Sequence, residues 1–236
     1  MREGSPSATA RVVAQVRATM ERPVTPDGDG DIERRLVERF PSDRRSPMAD
    51  RLERRTRWFD DITLSSIADG IGQVVIVAAG YDCRALRFRT PGVRFFEIDH
   101  PATHADKRRI LDEMHADVSG VAYAAADFIL DDVAAALSAA GHDADADTLF
   151  LVEGLLIYLP EAVIVSLLTA LRERATSESR LAVSVSRGPS PAFQARVAAI
   201  GEEARSGFTE DEAAALLQRC GWGGDTTTAL VLAAPV

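Results

Sequence analysis

Four short stretches carry residues able to do chemistry, and their spacing groups them around one ligand. The first is QVVIVAAGYDC at 73–83, where an apolar, β-branched run breaks at Ala78, Ala79 and Gly80. Small residues there let a ligand or another part of the chain approach the backbone closely. The second is RFFEID at 94–99, which carries Glu97 and ends on Asp99, 19 positions beyond Gly80. An acid about 20 residues past such a turn is placed to hold ribose hydroxyls. One of the two acids is expected there and the other in a structural role, with helix capping after His100 and Pro101 as the competing use. The third is Asp127 with Phe128. This acid can accept from an adenine amino group while the ring packs on the base; a plain turn is the alternative. The fourth is Glu153 in LFLVEGLLIYLP. A carboxylate in so apolar a run needs a partner, because burying it unpaired is costly. An amine-bearing ligand or a structural arginine would serve.

Other chemistries find less support. His100 and His104 have metal-pair spacing, but Pro101 intervenes and no third ligand is evident, so no metal is expected. Asp27, Asp29, Asp31 and Glu38 mimic a calcium loop, but Ile32 stands where the sharp turn needs glycine. Cys83 beside Asp82 forms no nucleophile signature. There is no GxSxG, no Walker-type GKS/T, and Lys107 is the only lysine.

The elements that must position these residues follow from patterning. Strands are expected at 74–77, 94–98, 122–125, 148–152 and 180–185, with a last one at 227–232. Helices are expected at 9–21, 32–40, 49–68, 104–113, 131–140, 160–175 and 209–220, with 22–31 a loop and 41–47 a break. Alternating strands and helices imply right-handed crossovers, hence an α/β fold with a doubly wound, mostly parallel sheet. Ligands of such sheets bind at the carboxyl ends of the strands. Two units are expected: an N-terminal helical lid or substrate segment at 1–70 and an α/β core at 71–236.

Composition narrows the class. The 236 residues are 46% hydrophobic, and no apolar run approaches the length of about 20 that a membrane span needs. The N-terminal stretch lacks the apolar core of a secretory signal, and two cysteines make no disulfide framework, so a reducing cytoplasm is expected. Net charge is −9, yet residues 34–57 hold nine arginines against four acids, a local +5 that leaves −14 elsewhere. Nucleic acid is not the expected partner: the basic stretch has few aromatics and the rest of the chain would repel phosphate.

Taken together, the segments RTRWFDD (55–61), QVVIVAAGYDCRALRF (73–88), FFEIDHPATHADKRRIL (95–111), the AADF turn ending at Phe128 and EGLLIYLP (153–160) resemble the leucine carboxyl methyltransferase family. The likeness is closer to its bacterial branch of S-adenosylmethionine-dependent O-methyltransferases. It runs in the family's order over residues 50–160. The resemblance implies a Rossmann-like class I methyltransferase core, with S-adenosyl-L-methionine as cofactor and S-adenosyl-L-homocysteine as product. Arg55 would grip the cofactor's methionine carboxylate, with Arg57 the neighbouring candidate. Ala78, Ala79 and Gly80 would pass under the methionine part. Asp99 would bind the ribose, Asp127 and Phe128 the adenine, and Glu153 the amino end or the site floor. Ala78 stands where the family often has glycine. The C-terminal part is short, so the closing hairpin of a seven-stranded sheet is expected to be incomplete or supplied by a second copy in a homodimer.

The reaction expected is methyl transfer by in-line displacement to a small molecule such as a polyketide-type metabolite. A carboxylate acceptor, with an ordinary pKa near ~4, is already nucleophilic at pH 7, whereas a phenol or alcohol gains from a base. No strongly marked base is present, which favours a carboxylate. Arg57 and Tyr158 are the acceptor-site candidates. One rival is a nicotinamide-dependent dehydrogenase, which predicts GxGxxG where this chain reads AAGYDC. The other is a catalytically silent cofactor-binding relative.

Overall fold

The computed structural model describes residues 6–40, 49–188, 190–199 and 203–236; the break expected at 41–47 lies outside them. Three helices come first: α1 (Ala8–Ala18), α2 (Ile32–Val37) and α3 (Ala49–Ala68). Strand β1 (Gln73–Val77) then opens the sheet, and all five of its residues are buried. A Val/Ile run covered on both faces suits the centre of a parallel sheet, where fully burying each such side chain contributes roughly 1.5–3 kcal/mol. There follow α4 (Arg84–Arg87), β2 (Arg94–Asp99), α5 (Pro101–Glu113), β3 (Val121–Ala125), α6 (Val133–Ala139), β4 (Thr148–Val152), a 3₁₀ turn (Leu156–Tyr158), α7 (Glu161–Glu173), β5 (Arg180–Ser184), α8 (Pro191–Ala199), α9 (Glu210–Arg219), β6 (Trp222–Gly224) and β7 (Leu230–Pro235).

The sheet has seven strands in the order β3-β2-β1-β4-β5-β7-β6. The first five are parallel, and β7 runs antiparallel to both β5 and β6. Strand order reverses between β1 and β4, where Val77 lies level with Ile98 on one side and Val152 on the other. Asp99, Asp127 and Glu153 therefore all leave their strands at one edge, beside the turn that follows Val77.

One sheet face packs Val75, Phe96, Phe150 and Leu181 under α6, α7 and α9. The other packs Val74, Ile76, Phe95 and Leu149 against Phe59 of α3 and Phe88. A third cluster joins Ala14 of α1, Leu36 of α2, Tyr81 and Leu111 of α5, so the N-terminal helices form a layer against the β1 turn. Among the described residues, no helix is long and apolar enough to cross a membrane.

The closing hairpin corrects the sequence expectation. It is complete within this chain, so it needs no second copy, and the last strand lies at Leu230–Pro235 rather than 227–232. Trp222-Gly223-Gly224 is too short and too glycine-rich to read as a strand. Burial of Trp222, whose indole N–H donates to Leu168 O at 3.0 Å, fixes it beneath α7.

Candidate active site

The turn after β1 is strained by design. Ala78 has φ +52° and Gly80 φ +54°. An L-residue in the left-handed region costs roughly 1–2 kcal/mol, a cost that Ala78 bears and a glycine there would not. A Cβ on Gly80 would lie 2.9 Å from Ala10 Cβ, so α1 crosses directly over the turn. Asp82 N–H closes the turn onto Ala79 O at 2.8 Å.

Asp99 holds that turn from β2. Its Oδ2 accepts from Gly80 N–H and its Oδ1 from His100 N–H at 2.6 Å. Burial pushes its pKa up, against the pull of these two N–H groups. A carboxylate has about four acceptor sites, so two remain. Helix α5 is capped by the His100 ring, which accepts from Ala102 N–H at 3.3 Å, so the competing capping role does not fall to Asp99. Glu97, two residues earlier and on the same strand face, is the acid turned inward: its Oε2 meets Lys107 Nζ at 2.5 Å. Asp127 stands at the edge, its Oδ1 accepting from Ile129 N–H at 2.9 Å and its Oδ2 3.7 Å from His100 Nε2. Phe128 is half-buried against the core, and Ile129 and Leu130 beyond it are exposed.

Glu153 has its structural arginine three times over. Oε1 accepts from Arg55 Nε at 2.9 Å; Oε2 lies 2.7 Å from both Arg84 Nη1 and Arg17 Nη2. Burial would raise its pKa, but Arg17, Arg84 and Arg55 outweigh that and hold it well below the usual carboxylate range. Arg17 and Arg84 also grip Asp82. They keep its carboxyl at about 2 against the opposing effect of burial. Arg84 and Arg22 both meet Asp60 Oδ1 at 2.7 Å, and Arg22 and Arg87 share Glu33. Five guanidiniums thus connect to four carboxylates, one positive charge in excess.

The excess surfaces at Arg55. Its side chain is 24% exposed while Arg84 is fully buried, and its terminal nitrogens have no hydrogen bond among the described residues. They lie over Gly154, where a Cβ would come within 2.9 Å of Nη1. A second open donor is Arg17 Nε, buried and without a partner among the described residues. Arg57 points elsewhere, to Glu53 at 2.8 Å on the exposed side of α3. Tyr158 ends the 3₁₀ turn just past β4, half-buried.

The fold thus brings Gly80, Asp99, Glu153 and Arg55 to one edge, with Asp127 and Phe128 beside them, and leaves Glu97 and Arg57 aside. Sequence reasoning missed Arg17, Asp82, Arg84 and Lys107. One signal was available: Glu153's need of a cation pointed to buried arginines, though not to which ones. Among the described residues no cluster of histidine, cysteine and carboxylate side chains could hold a metal.

A seven-stranded sheet in this order, with its single reversed strand next to the edge and acids gathered at the switch point, is the class I methyltransferase architecture. The chain belongs to the leucine carboxyl methyltransferase family, whose model matches residues 10–172. A Streptomyces coelicolor protein provisionally named as an S-adenosyl-L-methionine-dependent methyltransferase is 40% identical over 143 residues, covering 60% of this chain and 50% of the relative. A Streptomyces avermitilis protein with the same provisional name is 36% identical over 178 residues, covering 74% and 62%. The chain thus spans between half and five-eighths of the length of these two relatives. Magnesium protoporphyrin IX methyltransferase from Synechocystis, solved with bound S-adenosyl-L-homocysteine, shares the fold with a TM-score of 0.55 at 15% identity, over 86% of this chain and 93% of that one.

Proposed function

We propose that the chain is an S-adenosyl-L-methionine-dependent O-methyltransferase acting on a small molecule, with a carboxylate as the favoured acceptor group and a phenol or hydroxyl as the alternative. The observation that carries this reading is the charge excess of the edge network, which ends on the partly exposed Arg55, with Arg17 Nε buried and without a partner among the described residues. A ligand carboxylate at this point would balance the charge and take the open donors; guanidinium–carboxylate pairs are among the strongest charge-assisted contacts.

The other residues fit the rest of such a cofactor. Asp99 retains acceptor capacity for ribose hydroxyls at the far side of the turn. Asp127 and Phe128 offer an acceptor and an aromatic face for adenine. Ala78 to Gly80 present backbone without bulk. Glu153, saturated by three arginines, forms the charged floor of the methionine end rather than a free acceptor. Segment 1–70 serves as the lid over the 71–236 core, since α1 crosses the turn and supplies Arg17.

When bound, S-adenosyl-L-methionine supplies a methyl group already activated on a sulfonium. The chain's task is then to orient and to exclude water, which turns an encounter between two molecules into a positioned displacement. Arg55 and Arg17 would hold the carboxylate of that group and Asp99 its ribose, so that its methyl would be presented to an acceptor oxygen. A carboxylate acceptor needs no base for this. Tyr158, just past β4, is the acceptor-side candidate, whereas Arg57 is engaged by Glu53.

Calorimetric titration with S-adenosyl-L-homocysteine tests the reading, alongside NAD(P) as the competing ligand. Saturable binding of the former alone is expected; binding of NAD(P) alone would overturn it. Turnover across a panel of aromatic acids and phenols then separates an enzyme from a silent relative.

A further inference from the structure

Helix α5 buries Thr103, Lys107, Ile110 and Leu111, the stripe by which it faces the sheet. Three of these fit that place. Lys107 does not: it is 1% exposed and is the only lysine among the 27 basic residues of the chain. Its ammonium meets Glu97 Oε2 at 2.5 Å and donates to the main-chain oxygen of Asp82. Each acceptor belongs to a different half of the edge site. Asp82 lies two residues beyond Gly80, and its carboxylate takes Arg17 and Arg84, the two arginines that share Glu153 Oε2. Glu97 lies two residues before Asp99, the acid that receives the Gly80 N–H.

We infer that Lys107 is a positioning residue for the cofactor turn, a buried ammonium that sets the Asp82–Cys83 peptide and the end of β2 relative to each other. The inference rests on the cofactor reading above.

The physical case has three parts. First, the Asp82 carbonyl accepts from Lys107 Nζ, and Asp82, Cys83 and Lys107 are all buried. Losing its donor would leave a buried acceptor unsatisfied. Second, that peptide plane sets how the Asp82 carboxylate faces Arg17 and Arg84, and through Glu153 how Arg55 is presented. Third, a compact ammonium donates to two acceptors on different elements from one point, Glu97 Oε2 and Asp82 O, a geometry that the fixed planar fork of a guanidinium does not reproduce. A buried ion pair adds little net stability compared with apolar residues of the same shape, so stability alone gives no reason for lysine in this stripe.

The test uses the 236-residue chain and S-adenosyl-L-homocysteine. Labelling with ¹⁵N,¹³C-lysine gives one side-chain ammonium signal, because there is one lysine. On titration that signal should shift along a curve matching the calorimetric Kd. In parallel, Lys107→Met leaves Glu97 buried and unpaired and should lower both Tm and affinity. Adding Glu97→Gln removes the stranded charge. The double variant should regain Tm yet bind about tenfold more weakly than the wild type, the factor expected for one lost hydrogen bond to a charged donor. A purely structural lysine predicts that affinity returns with Tm. Wild-type binding with an unmoved ammonium signal, or wild-type affinity in the double variant, overturns the inference. Should the double variant not fold, the ammonium signal of the wild type decides alone. Absence of any binding by the wild type overturns the cofactor reading itself and this inference with it.

Discussion

The two ends of the same strands are built from opposite materials. At the amino end, Gln73 of β1 and Thr148 of β4 join His142, Asp143 and Ser179 in a largely neutral seal. Gln73 Nε2 donates to Asp143 O at 2.7 Å and Asp143 N–H returns to Gln73 Oε1 at 3.0 Å. Thr148 N–H donates to Ser179 Oγ at 3.0 Å, and the His142 ring lies between Arg174 Nε and Thr148 Oγ1, 3.1 Å from each. Because Arg174 donates to Nδ1, Nε2 carries the proton and donates to Thr148. At the carboxyl end, five arginines and four carboxylates share a network that, among the described residues, leaves Arg17 Nε without a partner and the Arg55 guanidinium partly exposed. A closed polar seal specifies packing; an incomplete charged one leaves donors open, which the proposed function assigns to a ligand. At the edge where the strand order reverses, the open donors are Arg17 Nε and the terminal nitrogens of Arg55.

Substitutions at the two ends should separate these roles. Glu153→Gln leaves three guanidiniums around a neutral amide, and removing one partner of a buried ion pair costs about 3–5 kcal/mol, so denaturant unfolding should show a loss of that size. At the other end, Gln73→Leu strands the Asp143 N–H and should cost about 1–3 kcal/mol while leaving homocysteine-cofactor binding unchanged.

Acid should also attack the two ends in sequence. Burial beside Arg174 lowers the His142 pKa from 6.5 to about 4. The unfolded chain therefore binds this proton more readily, and the stabilising contribution is complete above pH 6.5 and declines as pH falls towards 4. Asp82 moves from 3.8 to about 2, so its contribution persists until pH falls below 3.8. His142→Gln should flatten the stability profile between pH 6.5 and 4 only; an unchanged slope there would remove this assignment.

Arg55→Gln should weaken S-adenosyl-L-homocysteine binding about tenfold while shifting stability by under about 1 kcal/mol, since its pair with Glu153 is part exposed. Arg57→Gln, on the outer face of α3, provides the contrast and should leave affinity unchanged. The smallest effect is expected at the turn: Ala78→Gly relieves φ +52° and should raise stability by about 1 kcal/mol, read from the denaturation midpoint.

Local signals made most of the fold legible. β4 falls at Thr148–Val152, as its apolar run predicts, and α3 at Ala49–Ala68. The β6–β7 hairpin was not legible, because a three-residue strand with two glycines is held by Trp222 burial and by pairing with β7, not by its own propensity. At the site, Asp99, Asp127 and Glu153 were visible as acids at strand ends. Their partners were not. Arg17 reaches Glu153 from α1, across more than half the chain, and nothing in 26 arginines marks which of them will be buried. Lys107 stood out only as the lone lysine; its two acceptors become neighbours only when β2, α5 and the β1 turn are assembled.

Hydrogen–deuterium exchange with and without S-adenosyl-L-homocysteine reads both ends of the sheet in one experiment. The account predicts new protection at 78–84, 99–104, 127–130 and 153–155 and in α1, with none at 73, 142–148 or 176–179. Protection confined to the amino end, or absent from the carboxyl edge while the ligand is bound, would contradict it.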